Sequence, residues 1–137
     1  MIGILVVGHG KFAEGLIDNS KLIVGSQGNI DFASLNSGDS VDEFDEIVSE
    51  KIIKLLDKDG LIIFTDIYGA IPFNSCIRAI SNKEVDNNVK IISGVSVPML
   101  ITAILERSGN NIEELKKLII ESGKDGIKEV FDQLGGN

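Results

Sequence analysis

The sequence of 137 residues has few of the residues on which several protein classes depend. Its single cysteine, Cys76, cannot form an internal disulfide, and one cysteine beside one histidine offers no zinc-type set of ligands. No apolar run approaches the roughly 18 residues of a membrane span, and no basic leader with an apolar core opens the chain. We therefore expect a cytoplasmic protein without a metal, and nothing in the sequence calls for a cofactor.

Basic residues are also scarce. Thirteen lysines and arginines stand against 21 acidic residues, which gives a net charge of −8. A nucleic-acid-binding protein needs a basic face that neutralises phosphates, and no such cluster is visible here. The charge balance therefore argues against nucleic acid and against anionic membrane surfaces as partners.

The remaining composition is that of an ordinary globular protein, with 43% apolar and 25% charged residues. The length suits one domain, and neither a linker nor an internal repeat divides the chain. We therefore predict a single domain that comprises residues 1–137.

Strand and helix patterns alternate along the chain. Apolar, β-branched runs predict strands at residues 2–7, 30–34, 61–65 and 89–93. Helical spacing and capping residues predict helices at residues 11–24, from 40 onward, 72–80, 98–107 and 112–122, the last ended by Gly123. Residues 126–134 fit a helix or an edge strand equally well. This alternation predicts an α/β fold, an open doubly wound sheet, mainly parallel, with helices on both faces.

In such folds ligands bind beyond the carboxyl ends of the strands, so the candidate site lies among four loops. These loops are residues 8–10, 36–39, 66–70 and 94–97.

His9 is the only histidine, and it stands between Gly8 and Gly10 directly after the first predicted strand. The two glycines leave the imidazole uncrowded, and the start of the following helix offers free N–H groups to an anion. This setting suits a histidine that receives a phosphoryl group. The alternative is a structural histidine in a tight turn between a strand and a helix.

Asp66 ends the third predicted strand. If the strand order is 2-1-3-4, strands one and three are neighbours about 4.8 Å apart, and Asp66 comes within hydrogen-bonding reach of His9. A carboxylate on one ring nitrogen would fix the tautomer and leave the other nitrogen as the nucleophile. Without that strand order, Asp66 would cap the next helix or close a turn before Gly69.

Other site types find no support in the sequence. The run Gly8-His9-Gly10 lacks the later glycine of a dinucleotide-binding loop, and no lysine-containing phosphate loop occurs. A serine-nucleophile elbow is also absent.

Three segments, "MIGILVVGHGKFAEGL", "FTDIYGAIPFN" and "ISGVSVPML", together resemble the mannose-type enzyme IIA component of the bacterial phosphoenolpyruvate-dependent sugar phosphotransferase system. Each lies at the end of a predicted strand, and the resemblance extends over essentially the whole chain. It implies a 2-1-3-4 sheet and a homodimer in which a C-terminal strand, here residues 126–131, is exchanged between subunits.

The resemblance also implies a function. Enzyme IIA takes a phosphoryl group from the phosphocarrier HPr onto a histidine, here His9, with Asp66 as its partner. It passes the group to enzyme IIB, which phosphorylates the sugar entering through the membrane subunits. The residues expected to bind the phosphoryl group or to face a partner protein are Gly8, Gly10, Gly69, Pro72, Phe73 and Asn74.

One position departs from the family pattern. Many members read "GGSPFN" where this chain has "GAIPFN", so the family's serine, which can donate to phosphoryl oxygens, is Ile71 here. Backbone N–H groups near Pro72 and after Gly10 would then have to stabilise the phosphoryl charge.

Three alternatives remain beside this hypothesis. The phosphotransfer subunit of dihydroxyacetone kinase resembles the same family, although its turn tends to carry His-Ser where this chain has His-Gly. A receiver-type signalling domain also has an aspartate after its third strand, but it needs an acidic pair after the first. A non-catalytic, flavodoxin-like binding module is the third.

Overall fold

A computed structural model of the chain describes residues 1–81 and 88–135. Four strands alternate with the helices and are followed by further helices at the C-terminal end of the described chain. In chain order the elements are β1 (Gly3–His9), α1 (Phe12–Val24), β2 (Ile30–Leu35), α2 (Val41–Leu55), β3 (Leu61–Thr65), α3 (Ile71–Ser81), β4 (Val89–Ile92), α4 (Val97–Glu106), α5 (Ile112–Asp125) and α6 (Val130–Leu134).

The four strands form one parallel sheet in the order β2-β1-β3-β4. This confirms the predicted α/β class and strand order. β1 and β3 occupy the centre of the sheet and are almost entirely buried, because helices cover both of their faces. Such central strands consist of continuous apolar runs, which is why the sequence predicted them most clearly.

The two faces of the sheet bury separate clusters of side chains. Ile4, Val6 and Phe64 point to the face that α1, α4 and α5 cover. Leu5, Val7 and Ile63 alternate to the opposite face, where α2 and α3 pack. This arrangement leaves the carboxyl ends of β1 and β3 side by side at one edge of the sheet.

β1 is longer than predicted, because it continues through Gly8 to His9. Gly8 pairs with Ser34 and His9 with Leu35 of β2, and the N–H of Gly10 donates to the carbonyl oxygen of Leu35 at 2.8 Å. Backbone pairing with a neighbouring strand does not require an apolar side chain. The apolar run therefore underestimated the length of this strand. His9 is therefore anchored in the sheet itself.

The predicted end of α5 at Gly123 is wrong. The helix continues to Asp125. Gly123 lies inside the helix, at a point where α5 packs closely against α4. A Cβ on Gly123 would lie only 2.8 Å from Cγ and Sδ of Met99 in α4. Glycine here removes a steric conflict and does not end the helix.

The strand expected at residues 126–131 is also not what the single chain adopts. Val130 and Phe131 begin the short helix α6, and the side chain of Glu129 caps it by accepting a hydrogen bond from the N–H of Asp132 at 2.8 Å. An exchanged strand would take its hydrogen bonds from a second chain. In a single chain, local capping decides the conformation of this segment.

Candidate functional site

His9 is the last residue of β1 and stands at the carboxyl edge of the sheet, where 48% of its side chain is exposed. Gly10 follows with a positive φ of 58°, a conformation that favours glycine, and turns the chain toward α1. A rigid strand therefore presents the imidazole to the surface. A partner protein can reach the ring directly.

Asp66 directly follows β3 and faces His9 across the strand pair. Its Oδ2 accepts a hydrogen bond from the backbone N–H of His9 at 2.9 Å and lies 2.7 Å from the ring Nδ1 of His9. Its Oδ1 accepts from the N–H of Ile67 at 2.9 Å. The proximity expected from the strand order is present, and the described contacts of the carboxylate hold His9 and the adjoining loop.

The contact with Asp66 makes the two ring nitrogens of His9 chemically different. When the ring is neutral, a proton on Nδ1 satisfies the carboxylate, and Nε2 keeps its lone pair. None of the described residues makes a hydrogen bond to Nε2. This arrangement provides an exposed nucleophilic nitrogen and a partly buried carboxylate that can stabilise positive charge on the ring.

Two opposing effects set the pKa of Asp66. Burial raises this pKa, but hydrogen bonds from the backbone N–H and the ring of His9, the charge of a protonated His9 and the N–H of Ile67 outweigh burial. The pKa of Asp66 consequently lies below its ordinary value, and the group stays ionised near neutral pH.

This lowered pKa predicts how stability depends on pH. In the unfolded chain an aspartate titrates near 3.9, so ionised Asp66 stabilises the fold above about pH 4, and this contribution is lost as the pH falls through the lower folded-state value. Near neutral pH, Asp66→Asn is expected to lower the free energy of unfolding by about 1 kcal/mol. Urea unfolding over a pH series should show the free energies of unfolding of the unmodified protein and of Asp66→Asn converging in acid. A difference that stays constant into acid would contradict this.

The remaining predicted residues lie in the loop after β3 and the first turn of α3. Gly69 has a positive φ of 80°, and its carbonyl oxygen accepts from Nδ2 of Asn74 at 3.2 Å. The ring of Phe73 packs against Tyr68, with 4.5 Å between centroids, and Pro72 is buried. Among the described contacts, Phe73 and Asn74 therefore brace the loop that carries Asp66, and neither touches His9.

Sequence reasoning missed a set of exposed apolar side chains on the segments that follow His9 and Asp66. At least two-fifths of each is exposed at the carboxyl edge of the sheet or in the adjoining loop: Phe12, Ile67, Tyr68 and Ile71. An apolar residue in the first turn of a helix is ordinarily assigned to the core. The only available signal was that Phe12 follows Gly10 closely in sequence, and that Ile67 and Tyr68 come directly after Asp66.

Cys76 takes no part in the site. It is buried on α3, and burial, followed by the charge of Asp45, raises the pKa of the thiol to about 12. The thiol therefore stays protonated and unreactive.

Comparison with known proteins identifies the family. Residues 3–120 match the family model EIIA-man, described as the PTS system fructose IIA component, where PTS denotes the phosphotransferase system. The chain belongs to this family. EIIA components are phosphotransferase-type proteins of the sugar phosphotransferase system, so the resemblance found in the sequence is confirmed.

Among curated proteins, the chain is 29% identical over 128 residues to the PTS system mannose-specific EIIAB component of Escherichia coli strain K12. The match covers 93% of this chain but 39% of that protein, so the chain spans well under half of that relative. A second relative is the PTS system fructose-specific EIIA component of Bacillus subtilis. It is 23% identical over 115 residues, which cover 84% of this chain and 77% of that protein.

Solved structures of EIIA proteins share the fold. The phosphotransferase system component EIIA from Streptococcus agalactiae superimposes with a TM-score of 0.84 at 29% identity, covering 95% of this chain and 98% of that one. A PTS IIA protein associated with the fucose utilization operon of Streptococcus pneumoniae gives a TM-score of 0.82 at 29% identity, with coverages of 96% and 95%.

None of the helices in residues 1–81 and 88–135 of this EIIA-family chain is both long and apolar enough to span a membrane.

Proposed function

We propose that this EIIA-family chain is a phosphoryl carrier in sugar uptake. Nε2 of His9 accepts the phosphoryl group of phosphorylated HPr and donates it to enzyme IIB. The observation that carries the proposal is the pair formed by His9 and Asp66. One ring nitrogen is held 2.7 Å from a carboxylate, while nearly half of the imidazole is open to a partner.

The proposed transfer needs no metal and no cofactor. The lone pair of Nε2 attacks phosphorus while the bond from phosphorus to the HPr imidazole breaks, and the HPr nitrogen keeps that electron pair. The proton on Nδ1 of His9 stays in place, so the phosphorylated ring is a cation, and Asp66 stabilises it. Transfer to an imidazole of IIB reverses these changes and returns His9 to its neutral form.

The transition state of such a transfer is loose, so catalysis consists mainly of in-line positioning and of donors around the moving group. The first turn of α1 supplies donors, because the N-cap residue Lys11 makes no side-chain cap among the described residues. At α3, Pro72 has no N–H and Ile71 has no hydroxyl. We therefore assign the main role in stabilising phosphoryl charge to backbone donors after Gly10.

The test is phosphorylation with phosphoenolpyruvate, enzyme I and HPr, followed by mass spectrometry of peptides and ³¹P NMR of the intact protein. The expected result is one acid-labile phosphoryl group on Nε2 of His9, which is lost when IIB is added. A label on another residue, or on Nδ1, would contradict the proposed roles of His9 and Asp66.

In this role the whole chain, residues 1–137, acts as one cytoplasmic domain. HPr and enzyme IIB are its direct partners, and the membrane subunits are reached only through IIB. The dihydroxyacetone kinase alternative gains no support from the comparisons, which give EIIA components.

The proposal includes a homodimer formed through the C-terminal segment. Four apolar side chains there are largely exposed: Ile127, Val130, Phe131 and Leu134. Within the described chain, β4 pairs only with β3, so its other edge is available to a strand from a second copy. Burial of these side chains against a partner copy would offset the cost of exposing them to water.

This dimer predicts a change in mass. Light scattering is expected to give a dimer for the unmodified protein and a monomer for Phe131→Asp, because the charge would have to be buried at the interface. Ile77→Asp, which alters an exposed apolar residue on α3, is the matched control and should remain dimeric. A monomeric unmodified protein would overturn this part of the proposal.

A further inference from the structure

The side chains of Phe12 and Asp66 both lie against the Cα of Gly8, the residue before His9. A Cβ placed on Gly8 would lie 3.2 Å from Oδ2 and 3.3 Å from Cγ of Asp66, and 3.2 Å from Cδ2 of Phe12. The carboxylate and the phenyl ring thus flank the same small space over the Cα of Gly8, which even a methyl group would crowd.

Phe12 is the first residue of α1, and 41% of it is exposed. Its Cδ2 edge therefore lies toward the space that the carboxylate also borders, while much of the side chain faces water. The side chain of Asp66 is only 16% exposed, although it stands at an edge of the sheet where His9 is open. An aromatic side chain beside the same space is an apolar group that could shield this ionised carboxylate from water.

We propose that Phe12 is a positioning residue, whose ring shields the Asp66 carboxylate over Gly8 and so keeps the proton of His9 on Nδ1. The proposal rests on the proposed phosphoryl transfer through Nε2. It deepens that function by naming a residue that acts on the reacting nitrogen only through Asp66.

The physical reason is competition between water and the imidazole for the carboxylate. Where water is excluded, the hydrogen bond between Nδ1–H and Oδ2 is stronger, and the Nδ1–H tautomer is favoured. When the cover is removed, water hydrates Oδ2 and the proton redistributes between the two nitrogens. Every molecule with a proton on Nε2 lacks the lone pair that attacks phosphorus.

The test uses the fact that His9 is the only histidine, so the imidazole signals of the ¹⁵N-labelled protein come from this ring alone. Two-bond ¹H–¹⁵N correlation spectra of the neutral ring report the tautomer directly. Phe12→Ala is expected to lower the share of Nδ1–H. It should slow phosphoryl acceptance from HPr by roughly two- to tenfold, the range for weakening one hydrogen bond.

Three further variants sharpen the test. Phe12→Leu keeps an apolar cover and should retain most of the tautomer preference and rate. Ile77→Ala removes an equally exposed apolar side chain from α3 and should change neither. Gly8→Ala pushes the carboxylate by a few tenths of an ångström and should shift the tautomer as Phe12→Ala does, which keeps the proposal falsifiable if Phe12→Ala folds poorly.

The outcomes separate this inference from the function on which it rests. An unchanged tautomer in Phe12→Ala overturns the positioning role, and a fall in rate without that shift would assign Phe12 to partner docking instead. A shifted tautomer in a protein that HPr does not phosphorylate, even unmodified, would support the positioning role and refute the proposed function.

Discussion

Replacing His9 with alanine is expected to abolish phosphoryl acceptance from HPr completely. The proposed carrier has one acceptor atom, Nε2 of His9, and the chain contains no second histidine that could take over. Incorporation of ³²P from phosphoenolpyruvate through enzyme I and HPr should fall to background. This loss would be the largest activity effect of any single substitution in the chain.

The fold should survive this substitution, so loss of activity can be read as loss of chemistry. The side chain of His9 is half exposed, and without it Asp66 still accepts hydrogen bonds from the backbone N–H groups of residues 9 and 67. The free energy of unfolding should change by no more than about 1 kcal/mol. Residual labelling of His9→Ala would place the acceptor elsewhere and refute the proposed function.

The largest effect on stability is expected at Arg107, at the opposite edge of the sheet from His9. This arginine follows α4 and is only 3% exposed. Its Nη1 donates to the carbonyl oxygens of Ile2 at 3.0 Å and Asn29 at 3.5 Å, and its Nη2 donates to that of Gly28 at 2.7 Å. One side chain thereby ties α4 to the segments that lead into β1 and β2.

Arg107→Met keeps the length of the side chain but removes all of these donors. Burial already lowers the pKa of Arg107, so some desolvation cost is relieved. However, the buried carbonyl oxygen of Ile2 and the carbonyl oxygen of Gly28 lose the guanidinium donor. That of Asn29 keeps the N–H of Ile4. We expect the free energy of unfolding to fall by about 2–4 kcal/mol. Urea unfolding followed by circular dichroism measures this directly.

The other arginine of the chain, Arg78, is the matched control. Both of its hydrogen bonds to Asp45 measure 2.9 Å, but about half of its side chain is exposed. Arg78→Met should therefore cost less than about 1 kcal/mol. If both variants lose the same free energy of unfolding, the burial and the carbonyl contacts of Arg107 add nothing to stability beyond what an exposed arginine adds.

The sequence determined which segments become strands and helices, because those decisions are local. Apolar β-branched runs produced β1 and β3, and a capping box of Asn111 and Glu114 stands at the start of α5, a helix predicted in part from its capping residues. Such signals act between residues a few positions apart, so they can be recognised without knowing the rest of the fold. The same locality explains why the end of α5 was wrongly predicted at Gly123. The glycine at this position avoids a clash with Met99, which lies in another helix.

The candidate site was predictable in part. His9 and Asp66 attracted attention because each stands near the end of an apolar strand. Their hydrogen bond, however, joins residues 57 positions apart and depends on β1 and β3 being neighbours. The sequence pattern is compatible with several strand orders, and the family resemblance supplied the one that the structure confirms.

Only the tertiary structure decided which residues surround the His9–Asp66 pair and which contacts stabilise the fold. Nothing in the order of residues shows that Phe12 and Asp66 border the same space over Gly8, or that Arg107 reaches the carbonyl oxygens before β1 and β2. These contacts arise when helices and strands pack, since packing brings together groups that chain-local rules treat separately. The sequence thus determined the elements and the nucleophile, whereas packing decided the surroundings of the nucleophile and the links that stabilise the sheet.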